Sequence, residues 1–71
     1  MKYVFIHCTD LMASKNVYDL IKVYGYRSVL SSDRMAMRMY KDEYFDMIDS
    51  IPLMKEIMDD KLTITKIVTE E

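Results

Sequence analysis

The chain has 71 residues, of which 51% are apolar, and a formal charge of −2 at pH 7. This length accommodates one domain over residues 1–71, and the apolar content excludes a disordered tail. The single cysteine excludes an intrachain disulfide, and the mildly acidic balance gives no general attraction to nucleic acid or anionic membranes.

The first predicted elements are a strand over residues 3–8 and an amphipathic helix. In the strand, one face carries Val4, Ile6 and Cys8 and the other carries Tyr3, Phe5 and His7. Both faces are largely apolar, which is typical of a central strand. Thr9 or Asp10 caps the helix, and Gly25 stands where a left-handed C-terminal cap is wanted. Its apolar stripe is Ala13, Val17, Leu20, Ile21 and Tyr24, while Ser14, Lys15, Asp19 and Lys22 face away.

A hairpin is predicted next, with strands over residues 26–31 and 34–40 joined by a turn at Ser32 and Asp33. The second of these strands has the clearest alternation in the chain. Methionines occupy positions 35, 37 and 39, and between them stand Arg34, Ala36, Arg38 and Tyr40. A strand points successive side chains to opposite faces, so one face is soft and apolar and the other is basic and aromatic.

The last third of the chain predicts a second helix and a final strand. Asp42 and Glu43 suit the N-terminus of the helix, and Pro52 ends or kinks it. Its apolar stripe is Tyr44, Met47, Ile48 and Ile51. Residues 53–58 fit either another helical turn or two or a short extended segment. The final strand spans residues 62–68, with Leu62, Ile64 and Val68 on one face and Thr63, Thr65 and Ile67 on the other.

This order of elements predicts an α+β fold of the ferredoxin-like βαββαβ type. The sheet has four antiparallel strands in the order 4-1-3-2, with strands one and three at the centre and both helices on one face. The predicted core consists of Val4, Ile6, Cys8, Val17, Leu20, Ile21, Met35, Met37, Met39, Met47, Ile48 and Ile51.

The sheet face away from the helices is the predicted functional surface. It carries Tyr3, Phe5, His7, Arg38 and Tyr40, with Ala36 among them. Exposed apolar patches of this kind mark interaction sites, and aromatic residues and arginine are enriched at binding hot spots. We therefore expect a non-enzymatic interaction or regulatory domain that binds a second copy of itself or another protein. Single-stranded nucleic acid is the alternative occupant, although the third strand lacks the Gly and Phe of an RNA-recognition motif.

Catalytic, cofactor and metal sites find little support in the sequence. His7 and Cys8 are adjacent on a strand and so point to opposite faces, which prevents them from forming a nucleophile and base pair. One Cys and one His argue against zinc, and one Gly excludes a glycine-rich phosphate loop. Asp42, Asp46 and Asp49 share a helix face that is more typical of solvation than of divalent-metal binding. We predict no catalytic residue, cofactor or metal; a divalent-metal nuclease using Asp10 or this acidic face is the remaining alternative.

Three short segments carry a resemblance to a known family. They are Tyr24-Gly25-Tyr26 after the first helix, the Ser31-Ser32-Asp33-Arg34 turn, and Lys55-Glu56-Ile57 after the second helix. In these the chain resembles YlbG-like proteins, which are small bacterial proteins of ferredoxin-like type. The hairpin is also similar to that of Cas2-type nucleases, in which an aspartate closes the first strand. The matching segment here is His7-Cys8-Thr9-Asp10, and neither resemblance implies a catalytic residue.

The compartment is predicted from the cysteine count and the absence of targeting signals. A secreted protein of this size is usually disulfide-bonded, so one unpaired thiol indicates a reducing cytoplasm. No run of residues approaches the ~20 apolar positions of a membrane span. The apolar stretch at the N-terminus is too short for a signal peptide, because polar residues follow it after a few positions. We therefore expect no membrane partner.

Overall fold

The computed structural model describes residues 2–70, which form an α+β structure with a four-stranded antiparallel sheet and three helices. The strands are β1 (Tyr3–Cys8), β2 (Val29–Leu30), β3 (Ala36–Tyr40) and β4 (Ile64–Thr69). The helices are α1 (Leu11–Val23), α2 (Lys41–Ser50) and α3 (Pro52–Asp59).

The sheet has the order β2-β3-β1-β4, so β1 and β3 are its central strands, as predicted. Alternating burial shows which way each central strand faces. Val4, Ile6 and Cys8 of β1 are buried, whereas the residues between them are only partly buried. Met37 and Met39 of β3 are buried on the same side, opposite Ile6 and Val4. The core therefore lies on one side of the sheet, between β1, β3 and the helices.

Helix α1 begins and ends where its capping residues place it. The Asp10 carboxylate accepts a hydrogen bond from the Ala13 N–H at 2.8 Å, which confirms the predicted N-cap. At the other end, Gly25 adopts φ +89° and its N–H donates to the Lys22 carbonyl, while the Tyr26 N–H donates to the Ile21 carbonyl. These two bonds form a Schellman motif, which requires the left-handed residue that glycine supplies most easily.

One residue of α1 was assigned to the wrong face. Ser14 was predicted to face away from the sheet, but it is fully buried, and its side chain interacts with the Cys8 thiol of β1. It lies one turn from the buried Val17, on the side of the helix that packs on the sheet. A small side chain at this position allows α1 to approach the sheet closely, which a hydropathy pattern does not reveal.

Both strands of the predicted hairpin are shorter than expected, because side-chain carboxylates accept hydrogen bonds from the backbone N–H groups at their ends. Before β2, the Arg27 N–H donates to Glu43 rather than to a neighbouring strand. Before β3, the Asp33 carboxylate accepts from the Met35 N–H, and Arg34 adopts φ +64°, outside the range of an extended chain. The predicted strands over residues 26–31 and 34–40 are therefore reduced to Val29–Leu30 and Ala36–Tyr40.

Residues 53–58, whose structure was left open, belong to a third helix, so the prediction of two helices is wrong in number. Ile51 separates α2 from α3 in an extended conformation (φ −125°, ψ 97°), which is the conformation that a following proline favours. Pro52 then opens α3, where its missing N–H costs no hydrogen bond. Helix α3 buries Met54 and Met58, which are one turn apart and face the core.

The predicted facing of the last strand is also wrong, because a bulge interrupts its alternation. Cys8 pairs with Ile64 and His7 pairs with Lys66, so Thr65 is the extra residue. Beyond the bulge, Ile67 lies opposite Ile6 on the core side, and Val68 lies opposite Phe5 on the other side. Leu62 precedes the strand and is 88% exposed.

The core agrees with the prediction in β1, in β3 and in part of α1 and α2, and it extends into α3 and β4, from which no core residue was predicted. Eight of the twelve predicted core residues are buried, and Leu20, Met35, Ile48 and Ile51 are partly buried. Buried residues that the predicted core omitted are Ser14, Ser28, Tyr44, Met54, Met58 and Ile64.

Candidate functional site

The five residues predicted as a contact surface lie together on the side of the sheet opposite the core. We call this side the open face, because the described helices all pack on the other side. It consists of Tyr3, Phe5 and His7 of β1; Ala36, Arg38 and Tyr40 of β3; Val29 of β2; and Lys66 and Val68 of β4. Tyr3 pairs with Tyr40 across the two central strands, and Phe5 pairs with Arg38.

Aromatic rings and guanidinium groups form a continuous layer on the open face. The Tyr3 and Tyr40 rings stack with centroids 5.4 Å apart, and the Phe5 ring lies 6.3 Å from Tyr3. The Arg38 guanidinium lies 4.9 Å from the Tyr3 centroid, and that of Arg27 lies 4.6 Å from the Tyr40 centroid. Cations at these distances are attracted to the ring faces, which holds the long arginine side chains flat against the sheet.

Two valines extend the apolar surface to both edges of the sheet. Val29 is 54% exposed and lies beside Arg38, and Val68 is 43% exposed and lies beside Phe5. Sequence reasoning did not assign either residue to the open face. Val68 was predicted to share a face with Ile64, because the bulge at Thr65 has no hydropathy signal, and Val29 lies in a strand of only two residues.

The segment before β2 is attached to α2 by two polar contacts. Arg27 donates to Glu43 Oε2 from Nε at 3.0 Å and from Nη2, and the Tyr26 hydroxyl donates to Asp46. The Arg27 guanidinium holds the pKa of Glu43 below its usual range, and the bond to Asp46 raises the pKa of Tyr26. These contacts position Arg27 at the edge of the open face, beside Tyr40.

The pH dependence of stability tests this attachment. The lowered pKa of Glu43 means that its carboxylate stabilises the fold above the usual value of 4.5, and that this contribution is lost as the pH falls through the lower folded value. We expect Glu43→Gln to lower the free energy of unfolding at pH 7 by about 0.5–1 kcal/mol. Urea unfolding at pH 7 and at pH 3 should show that the difference from wild type is smaller in acid.

The control for this experiment is Asp49→Asn. It removes an exposed carboxylate of the same helix that makes no salt bridge within residues 2–70. A Glu43→Gln difference of the same size at both pH values would contradict the assigned role of the carboxylate.

His7 and Cys8 point to opposite sides of the sheet, as their adjacency on a strand predicts. His7 lies on the open face between Ala36 and Lys66, and Cys8 is only 4% exposed in the core. Burial raises the pKa of the Cys8 thiol, which keeps it protonated near neutral pH. Cys8 therefore serves as a small core residue in this fold.

The aspartates considered as metal ligands do not converge in the part of the chain that the structure describes. Asp10 caps α1, and Asp46 accepts the hydrogen bond from Tyr26. Asp42 lies in the first turn of α2, where its negative charge interacts favourably with the helix dipole. No group of three or more Asp, Glu, His or Cys side chains within residues 2–70 is placed to hold a metal ion.

Comparisons with protein-family models, with curated proteins and with solved structures find no match for the chain. They provide no information on the resemblance to YlbG-like proteins or Cas2-type nucleases, which stays a prediction. Of the helices formed by residues 2–70, none has the length and apolar character required to cross a bilayer.

Proposed function

We propose that this chain is a small ferredoxin-like interaction domain that forms a homodimer through its open face. The observation that carries the proposal is the apolar and aromatic layer of that face, which extends over all four strands from Val29 to Val68. Val29 and Val68 are exposed and the aromatic rings between them are partly exposed, and a contiguous apolar surface of this kind is typical of an interaction site. The strand order and the helices on one side of the sheet support the ferredoxin-like assignment.

The size of the chain also favours self-association. A domain of 71 residues buries only ~60% of the surface exposed by its unfolded chain, and its core contains five buried methionines and no disulfide. Small domains commonly compensate by oligomerisation. We further propose a cytoplasmic location, where the single thiol of Cys8 stays reduced. The proposed activity is binding and involves no catalytic step.

Single-stranded nucleic acid is the second candidate, and the pairing of arginines with tyrosines on the open face favours it. Arg27 over Tyr40 and Arg38 over Tyr3 bring together the two side-chain types that bind bases and phosphates. Two observations weigh against it. The tyrosine rings stack on each other and are covered by the guanidiniums, and the chain has a net charge of −2.

A dilution series tests the proposal directly. We expect the backbone amide NMR signals of β1 and β3 to shift as the protein is diluted from millimolar to micromolar concentration, while those of α1 stay unchanged. Addition of a mixed-sequence single-stranded oligonucleotide at low salt should leave the spectrum unchanged. Shifts induced only by the oligonucleotide, and lost at high salt, would favour nucleic acid instead.

A further inference from the structure

An open cavity beside β2, at the edge of the sheet, is lined by basic side chains and by no acidic one of residues 2–70. Its volume is about 240 Å³, and its three charged residues are Lys22, Arg27 and Arg38. The Tyr3 and Tyr40 rings of the open face line it as well. Three of the ten Lys and Arg residues therefore lie around one cavity, although the chain has a net charge of −2.

The stacked tyrosines hold the two guanidinium groups near each other. The guanidinium of Arg38 lies 4.9 Å from the Tyr3 centroid, and that of Arg27 lies 4.6 Å from the Tyr40 centroid. The two ring centroids are themselves 5.4 Å apart, so both guanidinium groups lie over one pair of rings. Side chains that are held in place before a ligand binds lose less conformational entropy on binding. The arginines are therefore preorganised for a ligand that contacts both of them.

The positive charge of the cavity is only partly neutralised within the described part of the chain. Arg27 donates to Glu43 from Nε and Nη2, and these bonds do not involve its Nη1. Neither Arg38 nor Lys22, which lies in the last turn of α1, forms a salt bridge with another described residue. Glu43 therefore offsets one of the three positive charges, and two remain at the cavity.

We infer that this cavity binds a phosphate group, as inorganic phosphate or as a small phosphomonoester, between Arg27 and Arg38. The N–H groups of a guanidinium form a planar fork that matches the oxygens of a phosphate. A phosphomonoester carries a charge of about −1.5 to −2 at pH 7, which balances the two positive charges that remain. The volume of about 240 Å³ is roughly eight times the ~30 Å³ of a water molecule in the liquid, which is enough for a phosphate group with a small substituent.

The covered tyrosine rings favour a small ligand over a nucleic acid. Base stacking needs an accessible ring face. Here the guanidinium of Arg27 lies over the ring of Tyr40, and that of Arg38 lies over the ring of Tyr3. All residues of the site belong to one chain, so the inference goes beyond the proposed function and does not depend on the dimer.

An NMR titration tests the site with two probes, inorganic phosphate and glycerol phosphate, at an ionic strength held constant with chloride. We expect saturable shifts of the amide signals of Arg27, Ser28 and Arg38, with one site per chain. Arg38→Gln should weaken binding about tenfold or more, because charge-assisted hydrogen bonds are lost. Lys22→Gln should weaken it less, and it replaces Arg38→Gln if that variant fails to fold. The matched control is Arg34→Gln, which removes an exposed arginine outside the cavity and should leave the affinity unchanged.

The two probes also identify the source of the phosphate group. Tighter binding of glycerol phosphate would indicate an ester, and binding of inorganic phosphate at least as tight would indicate the ion itself; either result supports the site. Shifts without saturation, or equal weakening by the Arg38 and Arg34 variants, would overturn the inference in favour of a general response to charge. Tighter binding at the same residues of a single-stranded oligonucleotide without terminal phosphates would overturn it in favour of nucleic acid. The solution mass of the same samples separates the two proposals. A monomer that binds phosphate contradicts only the dimer, and a dimer that binds none contradicts only the site.

Discussion

Phe5→Asp is expected to convert the proposed dimer into a folded monomer. Phe5 lies beside the centre of the open face, and an aspartate there removes the aromatic ring and loses its water on assembly, a cost that the neighbouring Arg38 repays only in part. Loss of a hot-spot residue costs about 2 kcal/mol or more, and a symmetric dimer suffers the loss twice. We therefore expect the dimer dissociation constant to rise on the order of 1000-fold. Light scattering measures the mass, and far-UV circular dichroism checks that the helices remain.

The matched control for this substitution is Leu62→Asp. Leu62 is 88% exposed in the segment before β4 and lies outside the open face, so the same charge replaces an apolar side chain where no second copy is expected to cover it. The control is expected to keep the wild-type mass. Should Phe5→Asp fail to fold, Phe5→Ala removes the ring without adding charge. Full assembly of a folded Phe5 variant would contradict the interface.

Ile6→Ala is expected to have the largest effect on stability of any single change considered for this chain. Ile6 is fully buried in the central strand, opposite Met37 on one side and Ile67 on the other. Truncation of a buried isoleucine to alanine costs about 2–5 kcal/mol. A domain of this length has a total stability of roughly 4–10 kcal/mol, so the variant loses much of it. Urea unfolding followed by circular dichroism measures the loss.

Ile6→Val serves as the graded comparison, because it removes one methylene group and should cost about 0.5–1.5 kcal/mol. Equal stabilities for the alanine and valine variants would show that the position is not in a packed core. A large loss of stability in both variants, with the wild-type solution mass kept at high concentration, would show that the stability of the fold and the formation of the dimer depend on different residues.

The sequence predicted those parts of the fold that depend on hydrophobic periodicity and on capping residues. The alternation in β1, the stripe of α1 with Asp10 and Gly25 at its ends, and the central position of β3 all follow from local patterns. Local patterns also placed Tyr3, Phe5, His7, Arg38 and Tyr40 on one face, because residues two apart on a strand share a face.

The errors arose where tertiary contacts override the local pattern. Glu43 is 16 residues from Arg27 in sequence, yet its carboxylate takes the N–H that would have extended β2. The bulge at Thr65 is stabilised by a hydrogen bond from the Thr65 hydroxyl to the His7 carbonyl at 3.0 Å, across the sheet. Neither contact has a signature in the alternation of apolar residues, so the exposed Val68 could not be assigned to the open face in advance.

The solution mass of the purified chain, measured by light scattering after size exclusion, tests the central claim most directly. The chain mass is 8.5 kDa, so a homodimer has twice that mass, about 17 kDa. We predict the dimer mass for the wild-type protein at millimolar concentration, and the monomer mass for Phe5→Asp under the same conditions. A wild-type protein that remains at the monomer mass up to millimolar concentration would contradict the account and leave the open face to a different occupant.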